Sequence, residues 1–151
     1  MRNKFLSTLF TLLVLLACWG CGEEKTVISE SPYTIGSAAG CSLSVVEGSV
    51  TPESISLQIT NTGQGTISIG EWYAIEISED GVWYTLPETP QDMVDLAYPI
   101  ESNQSIIKDY DWQHRYGTLT TGQYRIIIKV TMPQGNGDTT TFYFAAPFSA
   151  Q

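Results

Sequence analysis

Histidine is almost missing from this 151-residue sequence, which holds only His114. Cysteine is scarce at three residues, and seven basic side chains stand against sixteen acidic ones. Each shortage excludes a class of chemistry. Nucleophilic catalysis needs a serine or cysteine held beside a base, commonly histidine. The lone imidazole sits in the polar stretch Trp112-Gln113-His114-Arg115, where solvation is its ordinary state. Structural or catalytic zinc draws on several closely spaced cysteines and histidines, and here they are too few and too dispersed. Neither a Gly-x-Ser-x-Gly elbow nor a phosphate-cradling glycine loop occurs. The sequence therefore predicts no catalytic residue, no metal and no cofactor. The acidic balance makes nucleic acid and anionic lipid head groups poor partners.

Long apolar runs are also lacking, with one exception at the start. Arg2 and Lys4 precede a run from Phe5 to Ala17 broken only by Ser7, Thr8 and Thr11. A basic start followed by a short apolar stretch is the pattern of an export signal. A spanning helix needs about 20 mainly apolar residues, and this run ends sooner, among small residues and cysteines with Glu23 and Glu24 close behind. Cleavage is expected rather than retention. Loss of residues 1–17 leaves five basic and sixteen acidic residues, a formal charge of −11.

The run ends in Leu15-Leu16-Ala17-Cys18, which resembles the lipobox of bacterial lipoproteins, with a branched apolar residue three before the cysteine and a small residue just before it. The resemblance implies that the Cys18 thiol carries a diacylglycerol, with palmitate-type chains, and that the chain is tethered to a membrane through this N-terminal lipid. Cys21, preceded by Gly20, is the alternative anchor, although Cys18 stands where its branched aliphatic residue is expected. Cys21-Gly22-Glu23-Glu24-Lys25 is similar to the acidic patch that follows the anchor in surface-exported lipoproteins. The expected location is the cell envelope, outside the cytoplasm, at the outer membrane or cell surface rather than the inner membrane. With Cys18 lipidated, Cys21 and Cys41 either pair or remain as thiols.

Residues 18–40 are polar and show no periodicity, which predicts a flexible tether. Val27 and Ile28 leave open a partly ordered first strand. From residue 41 to 149 the pattern changes to short alternating runs bounded by turn residues. Leu43 and Val45, then Ile55, Leu57 and Ile59, then Tyr73, Ile75 and Ile77 alternate with polar neighbours. Glu79-Asp80-Gly81 predicts a hairpin into Val82–Leu86. Ser105–Lys108 follows, then Tyr124, Ile126, Ile128 and Val130, and finally Phe142, Phe144 and Ala146. The fold class is all-β: an immunoglobulin-like antiparallel β-sandwich of seven or eight strands. Gly122-Gln123-Tyr124 has the placement of a tyrosine corner, or of an ordinary core tyrosine.

Three stretches carry a second resemblance: Gly70-Glu71-Trp72-Tyr73-Ala74-Ile75-Glu76, Asp80-Gly81-Val82-Trp83-Tyr84-Thr85-Leu86-Pro87, and Tyr116-Gly117-Thr118-Leu119-Thr120-Thr121-Gly122-Gln123-Tyr124-Arg125-Ile126. Together they resemble a bacterial immunoglobulin-like domain family found in exported and lipid-anchored proteins. The likeness covers roughly residues 41 to 148, and the aromatic-Gly-x-Leu-x-x-Gly-x-Tyr-Arg stretch is its most specific part. It implies fold and location and brings no catalytic residues.

Glu88, Asp92, Asp95 and Glu101 lie between Pro87 and Asn103, with Asp109 and Asp111 beyond. Calcium takes about six to eight converging oxygens, and these carboxylates lack the spacing, so they read as solvated loops. The candidate binding surface is aromatic: Trp72, Tyr110 and Trp112, where exposed rings stack on sugars or anchor a protein, with core packing as the plain alternative. The expected function is a non-catalytic binding or structural module with a protein or glycan partner. The alternatives are a carbohydrate-binding accessory protein and, through the Pro87–Asn103 stretch, a protease or hydrolase inhibitor.

Overall fold

A computed structural model describes residues 29–36, 40–94 and 96–151. The export signal, both candidate anchor cysteines and most of the expected tether lie outside the described residues. Alternating sequence produces strands as the two-residue period requires. They are β1 (Ser29–Glu30), β2 (Cys41–Val45), β3 (Ser54–Asn61), β4 (Ile67–Glu79), β5 (Val82–Thr85), β6 (Tyr98–Ile100), β7 (Ser105–Asp111), β8 (Gly122–Pro133) and β9 (Thr139–Ala150), with one helical turn, α1 (Gln113–Tyr116).

All strand pairs are antiparallel. The larger sheet runs β1-β5-β4-β8-β9, with β6 beside the first residues of β4, and the smaller runs β2-β3-β7. Two antiparallel sheets face each other as a β-sandwich. The expected seven or eight strands are present, and the two shortest, β1 and β6, raise the number to nine. Asp80 (φ 51°) and Gly81 (φ 81°) both take positive φ between Glu79 and Val82, which pair directly. That is the two-residue turn whose twist matches the flanking strands, so Asp-Gly fixes the β4–β5 register.

The inner faces carry the predicted stripes. Ile55, Leu57 and Ile59 of β3 meet Tyr73 and Ile75 of β4 and Ile126, Ile128 and Val130 of β8, all in one buried cluster. Each fully buried aliphatic side chain contributes about 1.5–3 kcal/mol by leaving water. Tyr124 forms the expected tyrosine corner: its hydroxyl donates to the Thr120 carbonyl at 2.9 Å. Gly122 leaves room for the ring, since a Cβ at this position would lie 3.0 Å from Tyr124.

The outer face of the larger sheet departs from simple alternation. Ile127 and Glu76 point outward yet are fully buried, and Ala74 is nearly so. Residues 29–36 cover them as an extended strap. Ser29 and Glu30 pair with Thr85 and Tyr84 at the β5 edge, and the Ser31 amide donates to the Trp83 carbonyl at 2.9 Å. At the opposite edge Ile35 bridges Tyr143 of β9, and the Gly36 amide donates to the Tyr143 carbonyl at 2.9 Å. Between these fastenings Tyr33 packs on Trp72 and Tyr143, with ring centroids at 5.5 and 5.1 Å. The C-terminal part of the expected tether, residues 29–36, is thus part of the sandwich. Ser31, Tyr33 and Ile35 are half-buried while Pro32 and Thr34 are exposed, a short two-residue period hidden among turn-forming residues.

Candidate binding groove

The structure separates the three aromatics of the expected surface. Tyr110 and Trp112 are core residues, not surface, which corrects the expectation for both. Trp112 is fully buried, lies 5.6 Å from the Phe148 ring and donates its indole N–H to the Pro52 carbonyl at 3.0 Å. Tyr110 points between the sheets, edge-on to Tyr73 at 5.3 Å, and burial pushes its hydroxyl well above the ordinary tyrosine range. Their charged neighbours Asp109 and Asp111 face the other way, as alternation along β7 dictates.

Trp72 does lie on the outer face, but it is half-buried. Tyr33 and Tyr143 pack against it edge-on, and the Lys129 ammonium stands 4.4 Å from the centre of its ring. The indole therefore already has two aromatic neighbours and one cationic neighbour within the chain. Trp72 ends a bulge of two extra residues in β4: Ile69 pairs with Val130 and Tyr73 with Ile128, so Gly70, Glu71 and Trp72 stand opposite Lys129 alone. This bulge sends neighbouring side chains to different places. Glu71 is bound by Lys108 at 3.0 Å and by the Tyr98 hydroxyl. Those hydrogen bonds, Tyr98 first, hold its carboxyl below the usual range against the opposing effect of partial burial.

A groove of about 310 Å³ opens beside Trp72. Its floor is the polar outer face of the sheet, including Ser68, Gly70 and Thr131, and its far wall is apolar, formed by Met93, Val94 and Leu96. These three are exposed, Val94 at 66 % and Leu96 at 48 %. The residues that sequence reasoning missed are those of the loop wall, which carries no periodicity, and the strap residues that prop Trp72.

Four basic side chains occur among the described residues, and three are neutralised. Arg125 holds Glu76 at 2.6 Å, Arg115 holds Glu88 at 2.6 Å, and Lys108 holds Glu71. Arg115, expected in a polar loop, is buried on α1 and also donates to the Tyr73 carbonyl at 2.7 Å. Lys129 has no carboxylate partner among the described residues and lines the groove. His114 is exposed. Among the described residues no cluster of three or more histidine, cysteine or acidic side chains is arranged to hold a metal ion, and no helix is long and apolar enough to cross a membrane. Burial pushes the Cys41 thiol up to about 11. Its suggested partner Cys21 lies outside the described residues.

No curated protein matches the sequence. Among solved structures the chain is similar to the ASH / PapD-like domain of human CEP192 (PapD-like domain 7), at 13 % identity and a TM-score of 0.38, over 80 % of this chain and 92 % of that one. The sequence profile of the bacterial Ig-like domain matches residues 37–148, most of the chain and nearly all of the sandwich. The chain belongs to the bacterial Ig-like domain family, whose fold serves as a structural or binding module.

Proposed function

We propose that this protein is an exported, lipid-anchored Ig-like module of the cell envelope that binds or braces a partner without catalysing a reaction. The observation that carries the reading is the join between the lipobox-like sequence and the sandwich. Ser29 is fastened to β5 only eleven residues after Cys18, or eight after Cys21. At about 3.3–3.6 Å per extended residue that length holds the domain within about 40 Å of the bilayer, suited to a partner at the same surface. Mass spectrometry of the mature N-terminus, with palmitate labelling in cells, tests it. The expected result is an acylated N-terminal Cys18, lost in Cys18→Ala. An unacylated N-terminus, or label that disappears only in Cys21→Ala, would overturn the anchor assignment in whole or in part.

The glycan reading retains only Trp72, which is half-buried among Tyr33, Tyr143 and Lys129. A partner of protein nature is favoured by the exposed Met93, Val94 and Leu96 on an irregular loop, the kind of surface that apolar contacts at interfaces require. A loop with these residues also keeps the inhibitor reading testable against a panel of purified proteases, where no inhibition is the result that removes it.

A further inference from the structure

We infer that the groove beside Trp72 is a site for the C-terminal carboxylate of a peptide whose last residue is apolar. The inference rests on the binding-module reading and specifies its ligand. Lys129 supplies the charge. Every other basic side chain among the described residues is matched by a carboxylate, whereas Lys129 is held over the Trp72 ring at 4.4 Å and faces the groove. Contact with the ring face restricts the ammonium and leaves its donors available to an anion.

The walls select what accompanies the anion. Met93, Val94 and Leu96 offer an aliphatic surface that is otherwise exposed to water, so an apolar side chain laid against it removes area from solvent on both partners. The floor is different: Ser68 and Thr131 present hydroxyls, which lose free energy if an all-hydrocarbon chain covers them without hydrogen bonds. A peptide end combines a carboxylate, amide groups for the polar floor and one apolar side chain for the wall. A fatty acid lacks the second of these features. A uronic sugar lacks the third, and the Trp72 ring on which it would stack already holds Lys129 at 4.4 Å. Glu71 also lines the groove, but its carboxylate is engaged by Lys108 and the Tyr98 hydroxyl, and the acidic excess of the chain disfavours polyanions, so the anion proposed is a single carboxylate.

The test is a titration of the purified, isotopically labelled full chain with N-acetyl-Gly-Ser-Leu and with the same peptide as its C-terminal amide, followed by backbone NMR shifts and tryptophan fluorescence. The expected result is saturable shifts centred on residues 68–72 and 129–131, with the amide about tenfold weaker, the scale of one charge-assisted contact. Lys129→Gln should bring the acid down to the affinity of the amide, and Lys129→Arg should restore the preference. Leu96→Ser should weaken both peptides together. Equal binding of acid and amide, an unchanged acid preference in Lys129→Gln, or shifts confined to other faces would overturn the proposal. So would tighter binding of decanoate or glucuronate, run as parallel arms. Failure here leaves the N-terminal mass result standing, and the reverse holds equally.

Discussion

Glu76 and Arg125 face each other across the β4–β8 pair, with Arg125 Nη2 2.6 Å from Glu76 Oε2, on the outer face of a sheet where solvent would normally lie. Glu76 is fully buried and its second carboxylate oxygen has no hydrogen-bond partner. Arg125 is held in turn by the strap residue Ser31, whose hydroxyl accepts from Nη2 at 3.1 Å, and by the Trp83 ring at 4.5 Å. A buried pair is costly to form and costlier to break on one side. Arg125→Ala should therefore destabilise the domain by about 3–5 kcal/mol. Removing both charges with Glu76→Gln and Arg125→Met should cost clearly less, measured by urea denaturation of the singles and the double.

Tyr33 ties the strap to the sheet through Trp72 and Tyr143. Tyr33→Ala removes a half-buried ring packed on Trp72 and Tyr143 and should cost about 1–3 kcal/mol. Hydrogen exchange should then quicken at Ser31 and Gly36, whose amides are bonded to Trp83 and Tyr143, with little change at Ile126 or Ile128. Unchanged exchange at the two strap amides would refute the brace.

Tyr124→Phe keeps the ring in the core and deletes the hydrogen bond to Thr120. A loss of about 0.5–1.5 kcal/mol is expected in thermal or chemical denaturation. Gly122→Ala should cost as much or more, since the new methyl meets the Tyr124 ring at 3.0 Å.

Glu71 has a carboxyl held below its usual value of 4.5 by the Tyr98 hydroxyl and then by Lys108, partial burial opposing. A depressed folded-state value means the contribution is full above the unfolded value and is lost as pH falls through the folded one. Stability of the native chain should decline below about pH 4. In Glu71→Gln that part of the decline should be absent, read from denaturation midpoints between pH 3 and 7.

Cys41 should react slowly with thiol reagents at pH 7.5, because burial raises its thiol to about 11 and little thiolate exists there. Rapid labelling of the folded protein at this position would contradict the placement of β2.

Much of this fold was legible because inward stripes such as Ile55, Leu57 and Ile59 record burial directly in a two-residue period. The Asp80-Gly81 turn and the tyrosine corner were legible because their backbone geometry demands particular residues. The binding surface was harder to read. Tyr110 and Trp112 stand beside charged residues in sequence, yet neighbours in a strand point to opposite faces, so adjacency to Asp109 and Asp111 said nothing of exposure. The strap escaped because its stripe is only three residues long, and the single buried Ile127 between Arg125 and Lys129 is too little to mark the outer face of β8 as covered. Lys129 falls on the outward side of the Ile128–Val130 stripe. Its lack of a carboxylate partner depends on the bulge that turns Glu71 toward Lys108, which no local pattern encodes.

The family match begins at residue 37, one position beyond the end of the strap. A shortened chain trimmed to that boundary would keep both sheets apart from β1 and lose the cover over Ala74, Glu76 and Ile127. It would leave Ala74, Ile127 and the Glu76–Arg125 pair open to water beside an unprotected β5 margin, a combination that draws molecules into aggregates.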